Sequence, residues 1–465
     1  MPIIGNLHQM DAERAWLTYT DWKEKYGDVV YCSILGQDAI ILNTEKAAED
    51  LLNHRSSNYS DRLDLPAIIG PYGLTIDTIV LNHTDTWRAH RRVFHQTLRS
   101  EAATAYRPMQ LRRTAELVER ITNSPEAWWD HIRRFSASVI LSAIYDHDLS
   151  DSTEDDSTLQ TVLTALELLV RIFSPSTAML ITKMPIVRSI PTWLPGGWVN
   201  AKQGQKVVGD MFDVPYNLFR AKLETGEAGK CVASDALAMS RDTYKMDNFD
   251  DVVKGVCGTA YAAGEETTGA TLIIFILAMV LHPEVQARAQ SEIDEVVGTD
   301  RLPDLDDKGS LPYVEAIYRE TLRWKPVVPT AIQHATTEED VYNGYYIPKK
   351  ALVIPNVWAM TQNPDKYPSP ASFNPSRFLD AEGNLSGDEP SYVFGFGRRI
   401  CPGRHLAKDS VWLAMVRILS MFRIEKTTDA AGRMVEPNPE WTTGITSYPK
   451  AFPCKVVPRC EEVLK

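Results

Sequence analysis

A single cysteine within a glycine-rich segment is the residue of this sequence best suited to bind a metal. Cys401 lies in Phe394-Gly395-Phe396-Gly397-Arg398-Arg399-Ile400-Cys401-Pro402-Gly403, directly before a stretch with helical periodicity. The glycines allow the backbone to approach a flat macrocycle closely. Backbone N–H groups and the positive end of a following helix stabilise a thiolate. Because a thiolate on haem iron donates electron density and favours O–O cleavage, Cys401 is a candidate iron ligand. The alternative is an ordinary buried cysteine in a glycine-rich turn.

A second group of reactive side chains lies in the middle of a long apolar stretch. Residues 249–281 contain no proline, and as a helix they would extend about 50 Å, so their middle crosses a buried core. Glu265, Glu266, Thr267 and Thr268 occupy that middle, where unpaired polar groups are costly. A threonine here can bond the carbonyl four residues back and loosen the helix. The segment therefore predicts a functional acid–alcohol pair, and the alternative is the solvated face of a surface helix.

Both segments resemble motifs of one family. The cysteine segment matches Phe-x-x-Gly-x-Arg-x-Cys-x-Gly at every fixed position and resembles the haem-ligand loop of the cytochrome P-450 family. Ala263-Gly264-Glu265-Glu266-Thr267-Thr268 is similar to the family's Ala-Gly-x-Asp/Glu-Thr-Thr. The resemblance implies that Cys401 is the axial ligand of haem b, that Thr267 holds oxygen and its water, and that Glu266 passes protons from solvent. It also implies haem contacts for these neighbours of the ligand: Phe394, Gly395, Arg399, Ile400, Pro402, Gly403 and Ala407.

Haem also carries two propionates, which need cationic or hydrogen-bonding partners when buried. Trp87 and Arg91 are four residues apart, so one helical face presents an indole donor and a guanidinium. The pair is similar to the family's Trp-x-x-x-Arg, although alone it fits an ordinary helix face. His334 and Arg399 match family positions that reach propionates, although a histidine in a strand is more often structural. We therefore expect these four residues beside the propionates.

A further motif predicts a structural role. Glu320 and Arg323 place opposite charges at i and i+3 on a predicted helix that ends before Pro326. The segment is similar to the family's Glu-x-x-Arg, and the resemblance implies a charge network with Arg377 behind the cysteine loop. Ser376 departs slightly from the family, which often has Glu there. A solvated i,i+3 pair is the alternative.

The order of elements predicts a mainly α fold with a small β-rich lobe. It is similar to the cytochrome P-450 fold, in which a long central helix lies over the haem opposite the cysteine-ligand loop. Val29–Leu35 and Ala39–Asn43 predict a hairpin joined at residues 36–38. We expect one catalytic domain over residues 1–465. Its β-rich parts are expected at about 25–45, 326–390 and 432–465, and its α-rich parts at about 85–325 and 404–422.

Composition excludes several other functions. The net charge of −12 argues against nucleic acid as the main partner. The six cysteines form no Cys-x-x-Cys pair, which favours a reducing compartment over a disulfide scaffold. Cys401 and His405 are four residues apart, but no second Cys/His pair completes a four-ligand zinc site. No apolar run is expected to span a bilayer.

Membrane contact is nevertheless expected at the surface of the protein. The loop 190–198 is apolar, rich in Pro and Gly, and contains two Trp, which suits a bilayer interface, with buried packing as the alternative. Residues 2–7 resemble the hinge that follows the N-terminal anchor helix of membrane-bound family members. We therefore expect an anchor in the natural protein that this chain lacks, and a catalytic domain facing the cytosol on the endoplasmic reticulum. A naturally soluble protein is the alternative.

The predicted substrate is lipophilic, because apolar or small residues from separate segments are expected to line the pocket: Ile76, Ile79, Ala263, Ile332 and Ile445. Residues 26–30 and 55–62 resemble fungal membrane-bound members of secondary metabolism and detoxification. This resemblance narrows the substrates to terpenoids, polyketides, fatty acids or aromatic xenobiotics.

The function implied by the resemblance is a haem-thiolate monooxygenase that inserts one atom of O₂ into its substrate. Electrons would come from NADPH through NADPH–cytochrome P-450 reductase, and cytochrome b5 is a second candidate donor. A basic face could dock the acidic reductase, or could simply be solvated charge; it consists of Arg88, His90, Arg91, Arg92, His95, Arg99, Arg398, Arg404 and Lys408. Two alternatives are a non-oxygenating haem-thiolate enzyme (nitric oxide reduction or peroxide isomerisation) and a haem sensor or electron carrier.

Overall fold

The chain is folded mainly into α-helices, which confirms the predicted fold class. The computed structural model describes residues 4–11, 13–149, 156–194, 198–239, 248–429 and 431–459. The α-helices are α1 (Ala15–Tyr26), α2 (Glu45–Ala48), α3 (Asp85–Leu98), α4 (Ser100–Ala103), α5 (Arg107–Asn123), α6 (Trp128–Tyr145), α7 (Ser157–Ile172), α8 (Pro175–Lys183), α9 (Ala201–Thr225), α10 (Val232–Ala238), α11 (Phe249–Leu281), α12 (Pro283–Val296), α13 (Pro312–Trp324), α14 (Val357–Thr361) and α15 (Arg404–Met421).

The strands form small sheets. They are β1 (Val29–Ile34), β2 (Gln37–Leu42), β3 (His334–Ala335), β4 (Asp340–Tyr342), β5 (Tyr345–Ile347), β6 (Leu352–Pro355), β7 (Phe422–Glu425) and β8 (Lys455–Pro458). A four-stranded sheet has the order β1-β2-β6-β3, in which only the β2–β6 pair is parallel. The pairs β4–β5 and β7–β8 are separate antiparallel ribbons.

The predicted hairpin near the start of the chain is present, but its turn lies earlier than expected. Ile34 pairs with Gln37, so Leu35 and Gly36 form the connection, with φ values of 57° and 82°. Two-residue turns with positive φ match the twist of paired strands. The prediction placed the turn at 36–38 because leucine rarely adopts this conformation.

Helices α1, α2 and α14 and strand β7 lie outside the ranges predicted for their class. Helix α1 precedes the first β-rich part, and its Trp16, Tyr19 and Trp22 are buried. Aromatic residues spaced by three could have indicated this helix. Strand β7 follows α15 directly and pairs with β8. It lies before residue 432, where the last β-rich part was predicted to begin. Local sequence does not reveal this strand, because its partner β8 is far along the chain.

Helix α11 has the bounds predicted for the long apolar stretch. Most of its residues are buried, and helices α3, α6, α9, α13 and α15 pack around it. Contrary to the sequence-based expectation, this helix is long and apolar enough to cross a membrane, although 72% of its most apolar window is buried in the protein. Its hydrophobicity is therefore explained by its place in the core.

Glu320 and Arg323 form a fully buried pair on α13. The Arg323 guanidinium donates to the Glu320 carboxylate at 2.6 and 2.9 Å, and Arg377 donates to the same carboxylate at 3.2 Å. Arg323 also donates to the Thr361 carbonyl at 2.9 Å, and the Asn374 N–H bonds Glu320 at 2.7 Å. The network joins α13 to the segment that leads towards the cysteine loop.

A π-helical turn, Glu49–His54, supports the cysteine loop from the β-rich side. Its Asn53 side chain accepts a hydrogen bond from the Gly397 N–H at 2.5 Å. A Cβ atom at Gly397 would lie 2.0 Å from the Leu52 carbonyl oxygen. Only glycine therefore allows this close approach between the two segments.

Replacing Arg323 with leucine would test the buried network. The Glu320 carboxylate would lose its bidentate partner, so we expect the free energy of unfolding to fall by about 3–5 kcal/mol. Arg423→Leu is the matched control, because it breaks the exposed Arg423–Glu425 pair, with an expected loss below about 1 kcal/mol. Chemical denaturation of both variants provides the comparison. Equal losses would contradict a stabilising role for the buried network.

Candidate haem site

The cysteine loop is held in shape by its own backbone. A short 3₁₀ helix ends at Phe394, and Gly395 follows with a φ of 84°. The Cys401 N–H donates to the Phe394 carbonyl at 2.8 Å, which closes the loop. Gly403 then caps α15, and the Ala407 N–H bonds the Gly403 carbonyl at 2.9 Å. The sulfur of Cys401 is thus fixed at the start of a helix.

Opposing influences act on the half-buried Cys401 thiol. Burial raises its pKa, whereas hydrogen bonding from the Gly403 and Arg404 N–H groups and the positive charges of Arg91 and Arg404 act to lower it. The helix start and the guanidinium charges are what a thiolate ligand requires. The surroundings of Cys401 would therefore stabilise a thiolate if a metal cation bound to its sulfur and offset the effect of burial.

Trp87, Arg91 and Arg399 form one group beside the cysteine loop. The Arg399 guanidinium lies over the Trp87 ring at 4.3 Å, and that of Arg91 lies 6.0 Å from the same ring. Burial lowers the pKa of Arg91 to about 10 and that of Arg399 to about 8. Arg399 donates to backbone carbonyls, those of Ser60, Thr78 and Leu81.

A third arginine, Arg62, belongs to this group and was missed as a site residue by the sequence analysis. It donates to the carbonyls of Ile79, Ile332 and Gln333, and burial lowers its pKa to about 10. The charges of Arg62 and Arg91 lower the pKa of Arg399, and the charge of Arg91 lowers the pKa of Arg62. Nothing in the local sequence distinguished Arg62 from a surface arginine.

His334 lies close to the same arginines, at the start of β3. Its Nδ1 is 2.7 Å from the Tyr59 carbonyl, and since a carbonyl only accepts, Nδ1 carries the proton. Burial and the charges of Arg62 and Arg399 lower the pKa of His334 to about 3. The structure therefore brings together all four residues predicted at the propionates.

The donor set fits haem. The buried Nε1 of Trp87 has no hydrogen-bond partner within the described residues, and an unsatisfied buried donor is costly. Beside it, three guanidinium groups are desolvated together, with Asp61 and Asp77 as the carboxylates that act on them. Two propionates would supply acceptors and negative charge. Among the described residues, no cluster of His, Cys, Asp or Glu could hold a metal ion instead.

The middle of α11 is the second part of the site. Ala263 is exposed and Gly264, Glu266 and Thr267 are half-buried, although the helix is largely buried on both sides of this turn. A break in burial at the centre of a core helix indicates that the turn lines an internal space. Thr267 Oγ1 donates to the Ala263 carbonyl at 3.0 Å, the bond expected to loosen the helix.

Glu266 is oriented by two hydroxyl groups of the C-terminal segment. Thr446 Oγ1 donates to Glu266 Oε2 at 2.9 Å, and the Tyr448 hydroxyl donates to Oε1 at 3.0 Å. Burial and the neighbouring Glu266 raise the pKa of Tyr448. The sequence analysis missed both hydroxyls, because about 180 residues separate them from the helix.

Glu265 faces the protein interior rather than these hydroxyls, and the sequence analysis gave it no catalytic role. It is buried, and burial raises its pKa to about 7, with Arg133 acting to lower it and Glu266 acting to raise it. The two adjacent acids of α11 therefore lie in different environments.

The predicted pocket residues lie on the segments around these two parts. The carbonyls of Ile79 and Ile332 both accept hydrogen bonds from Arg62. The Ile76 carbonyl lies close to Gly255 of α11. Gly255 and Ala263 are two turns apart on nearly the same face of this helix. Ile445 is 41% exposed and precedes Thr446, which bonds Glu266. That these side chains share one pocket remains a prediction.

The predicted basic face is smaller than the sequence suggested. His90 is buried and its Nδ1 lies 2.8 Å from Thr78 Oγ1, and Lys408 is bonded to Glu389 at 2.9 Å, so neither presents a free charge. Four of the remaining residues, Arg91, His95, Arg99 and Arg404, border a cleft of about 530 Å³ beside the cysteine loop. Its lining includes Arg91, His95, Arg99, Glu101, Pro402, Arg404 and His405.

The chain is similar to known proteins of one family. The family model described as Cytochrome P-450 matches residues 1–453. Cytochrome P-450 monooxygenase 176 of Postia placenta is 35% identical, over 99% of this chain and 89% of the relative. Cytochrome P-450 monooxygenase claR of Ampulloclitocybe clavipes is 36% identical, over 100% and 87%. Tryptamine 4-monooxygenase of Psilocybe cyanescens is 34% identical, over 100% and 92%.

The mainly α fold and the matches together define an oxidoreductase that uses a haem-thiolate group. The chain belongs to the cytochrome P-450 family, and its relatives are monooxygenases by name.

The environment of Glu265 makes stability depend on pH. Burial raises its folded-state pKa from 4.5 to about 7, so the folded protein binds this proton more tightly than the unfolded chain does. The resulting stabilisation is complete below about pH 4.5 and is lost as the pH rises through about 7. Glu265→Gln should therefore stabilise the protein, relative to the unchanged chain, by up to about 3 kcal/mol more at pH 8 than at pH 5.

Denaturation at both pH values measures this difference, with Glu119→Gln as the control, because Glu119 is exposed on α5. A pH-independent effect of Glu265→Gln, equal to that of the control, would show that Glu265 is ionised without cost.

Proposed function

We propose that this protein inserts one atom of O₂ into a lipophilic small molecule, with electrons supplied from NADPH by a reductase. The observation that carries the proposal is the exposed turn in the middle of the core helix α11, where Glu266 and Thr267 lie side by side. An acid and an alcohol at an internal space provide the proton transfer that oxygen activation requires.

Haem b would be held by Cys401 as axial ligand. Trp87, Arg91, His334 and Arg399, together with Arg62, would receive the propionates. Residues of the cysteine loop and of α15 would contact the ring: Phe394, Gly395, Ile400, Pro402, Gly403 and Ala407. When bound, the haem-thiolate group supplies reductive activation of O₂ and transfer of one oxygen atom.

Protons would reach the pocket through α11. Thr267 Oγ1 donates to the Ala263 carbonyl, which leaves its lone pairs able to accept a hydrogen bond from a water in the pocket. Glu266 would hold a proton at its Oε atoms and pass it towards Thr267. Thr446 and Tyr448 orient that carboxylate from the tail, so the proton route would include the C-terminal segment.

The substrate would meet apolar side chains from several segments: Ile76, Ile79, Ala263, Ile332 and Ile445. Terpenoids, polyketides, fatty acids and aromatic compounds share the required lipophilicity. Since one relative is named as a tryptamine 4-monooxygenase, indole amines join the candidates.

The reductase would dock at the cleft beside the cysteine loop, where Arg99 and Arg404 contribute positive charge. NADPH–cytochrome P-450 reductase is the proposed partner, and cytochrome b5 is a second donor. The protein would sit on the endoplasmic reticulum, facing the cytosol. Trp193 is 79% exposed, which supports membrane contact by the 190–198 loop, although Pro195, Gly196 and Gly197 lie outside the described residues. Ile186, which precedes the loop, is 71% exposed.

A spectral binding screen tests the proposed substrate class. Lipophiles that displace water from the iron shift the Soret band from low spin to high spin, and positive compounds would then be incubated with NADPH and a reductase. Product that contains oxygen from O₂ supports the proposal. NADPH consumption that is independent of every lipophile and accompanies nitric oxide loss, or isomerisation of a peroxide without NADPH, would instead favour a non-oxygenating enzyme.

Cys401→Ser tests the axial ligand. We expect the reduced, carbon-monoxide-treated protein to lose the long-wavelength Soret band of thiolate-ligated haem. Cys454→Ser is the matched control, because Cys454 is also half-buried and burial also raises its pKa. Absorption spectra of natively folded samples decide the matter, and a Cys401 variant that keeps the band would refute the assignment.

Thr267→Ala tests the acid–alcohol pair. NADPH consumption should continue while the product recovered per NADPH falls about tenfold or more. The control is Thr321→Ala, since Thr321 likewise bonds a carbonyl four residues back, that of Ile317, but on α13 instead of α11. Product and NADPH are quantified together in the reconstituted reaction, and unchanged coupling in Thr267→Ala would remove the role of this hydroxyl.

A further inference from the structure

Ser136 of α6 contacts α11 directly behind the Glu266–Thr267 turn. The Gly269 N–H donates to Ser136 Oγ at 3.0 Å, and Ser136 Oγ donates to the Glu265 carbonyl. In an α-helix the N–H of residue 269 would bond the carbonyl of residue 265. One hydroxyl from a neighbouring helix therefore bridges the donor and the acceptor of a single helical rung.

This use of a serine differs from the usual one. A serine within a helix commonly bonds a carbonyl of its own helix, as Ser138 does with Phe135 at 2.9 Å. Ser136 is buried and directs its hydroxyl only across the helix interface, where a third contact is the Gly264 carbonyl at 3.3 Å. Because alanine would fill the same space without a polar group to bury, packing alone does not explain this residue.

The contact is held rigidly by close packing of the two helices. A Cβ atom at Gly269 would lie 3.3 Å from Ser136 Cβ, and one at Gly264 would lie 2.6 Å from Ile140 Cδ1. Residues 132, 136 and 140 follow one face of α6, so this face sets the distance between the helices over two turns. This packing holds Ser136 Cβ close to Gly269 and so keeps the hydroxyl within reach of the α11 backbone.

Two hydroxyls thus act on neighbouring rungs of α11 from opposite sides. Thr267 Oγ1 bonds the Ala263 carbonyl on the side of the exposed turn, and Ser136 bonds the Glu265 carbonyl and the Gly269 N–H at the back. A side chain inserted into the helical ladder is a recognised cause of a local bend. The backbone that carries Glu266 and Thr267 lies between these contacts.

We propose that Ser136 is a positioning residue that sets the geometry of the Glu266–Thr267 turn from behind, through the 265–269 rung whose donor and acceptor its hydroxyl bonds. The inference rests on the proposed function of Thr267. It adds a residue that touches neither haem nor substrate and acts through the helix backbone.

The experiment compares holoenzyme variants Ser136→Ala and Ser138→Ala, which remove one buried hydroxyl each from the same helix. In Ser136→Ala the Gly269 amide loses its hydrogen bond to the Ser136 hydroxyl, so its hydrogen exchange should become about three- to tenfold faster. Product per NADPH should fall about threefold or more, while the spectral dissociation constant of the substrate stays unchanged. Ser138→Ala should alter neither the Gly269 exchange rate nor the product per NADPH.

A double variant separates the positioning role from general damage. If Ser136 acts through Thr267, then Ser136→Ala should not lower coupling further in a Thr267→Ala background. Additive losses would overturn the inference, as would unchanged Gly269 exchange in Ser136→Ala. Normal coupling in Ser136→Ala with strong uncoupling in Thr267→Ala overturns the inference alone. Normal coupling in Thr267→Ala overturns the proposed function of Thr267 and, with it, the positioning role.

Discussion

The desolvation of three guanidinium groups is the constraint around which this part of the molecule is organised. Arg62, Arg91 and Arg399 lie together, and burial lowers the pKa of each. A buried cation needs acceptors, and the chain supplies them by turning backbone carbonyls inward from residues 60–81 and 332–333. The irregular segment before α3 has little regular structure of its own, so these bonds determine its path. The same group includes an unsatisfied buried donor at Trp87, which is why we propose that an anionic group binds here.

Helix α11 contains polar residues in the middle of an apolar core helix, where burial of unpaired polar groups costs free energy. Each of the two acids finds a different solution. Glu266 receives hydroxyl donors from the C-terminal segment, whereas the buried Glu265 is favoured in its neutral form by desolvation. The Thr267 hydroxyl of α11 bonds the Ala263 carbonyl, and the Ser136 hydroxyl of α6 accepts from the Gly269 N–H, on either side of the two acids. These hydrogen bonds satisfy polar groups that would otherwise destabilise the core, and they fix the conformation of this turn of α11.

Sequence motifs predicted the parts of the site that depend on short spacings. The bounds of α11 could be predicted because an uninterrupted apolar stretch without proline leaves few alternatives. Trp87, Arg91, His334 and Arg399 were predicted from separate motifs, and they lie together. Arg62, Ser136, Thr446 and Tyr448 could not be predicted, because their roles arise from contacts between segments that are distant in sequence. For the same reason His90 and Lys408 were wrongly assigned to an exposed basic face: each has a partner that only the tertiary structure provides.

The π-helical turn at 49–54 has a consequence for how this chain can vary in length. A π-turn closes its hydrogen bonds over five residues instead of four, and here the extra residue lets Asn53 reach the Gly397 N–H while the Leu52 carbonyl packs against the Gly397 backbone. Removal of one residue would rewind the turn and rotate Asn53 away from its partner. Insertions and deletions, which surface loops absorb readily, would therefore disrupt this contact, so the spacing of α2 from the cysteine loop depends on residue count as well as on residue type.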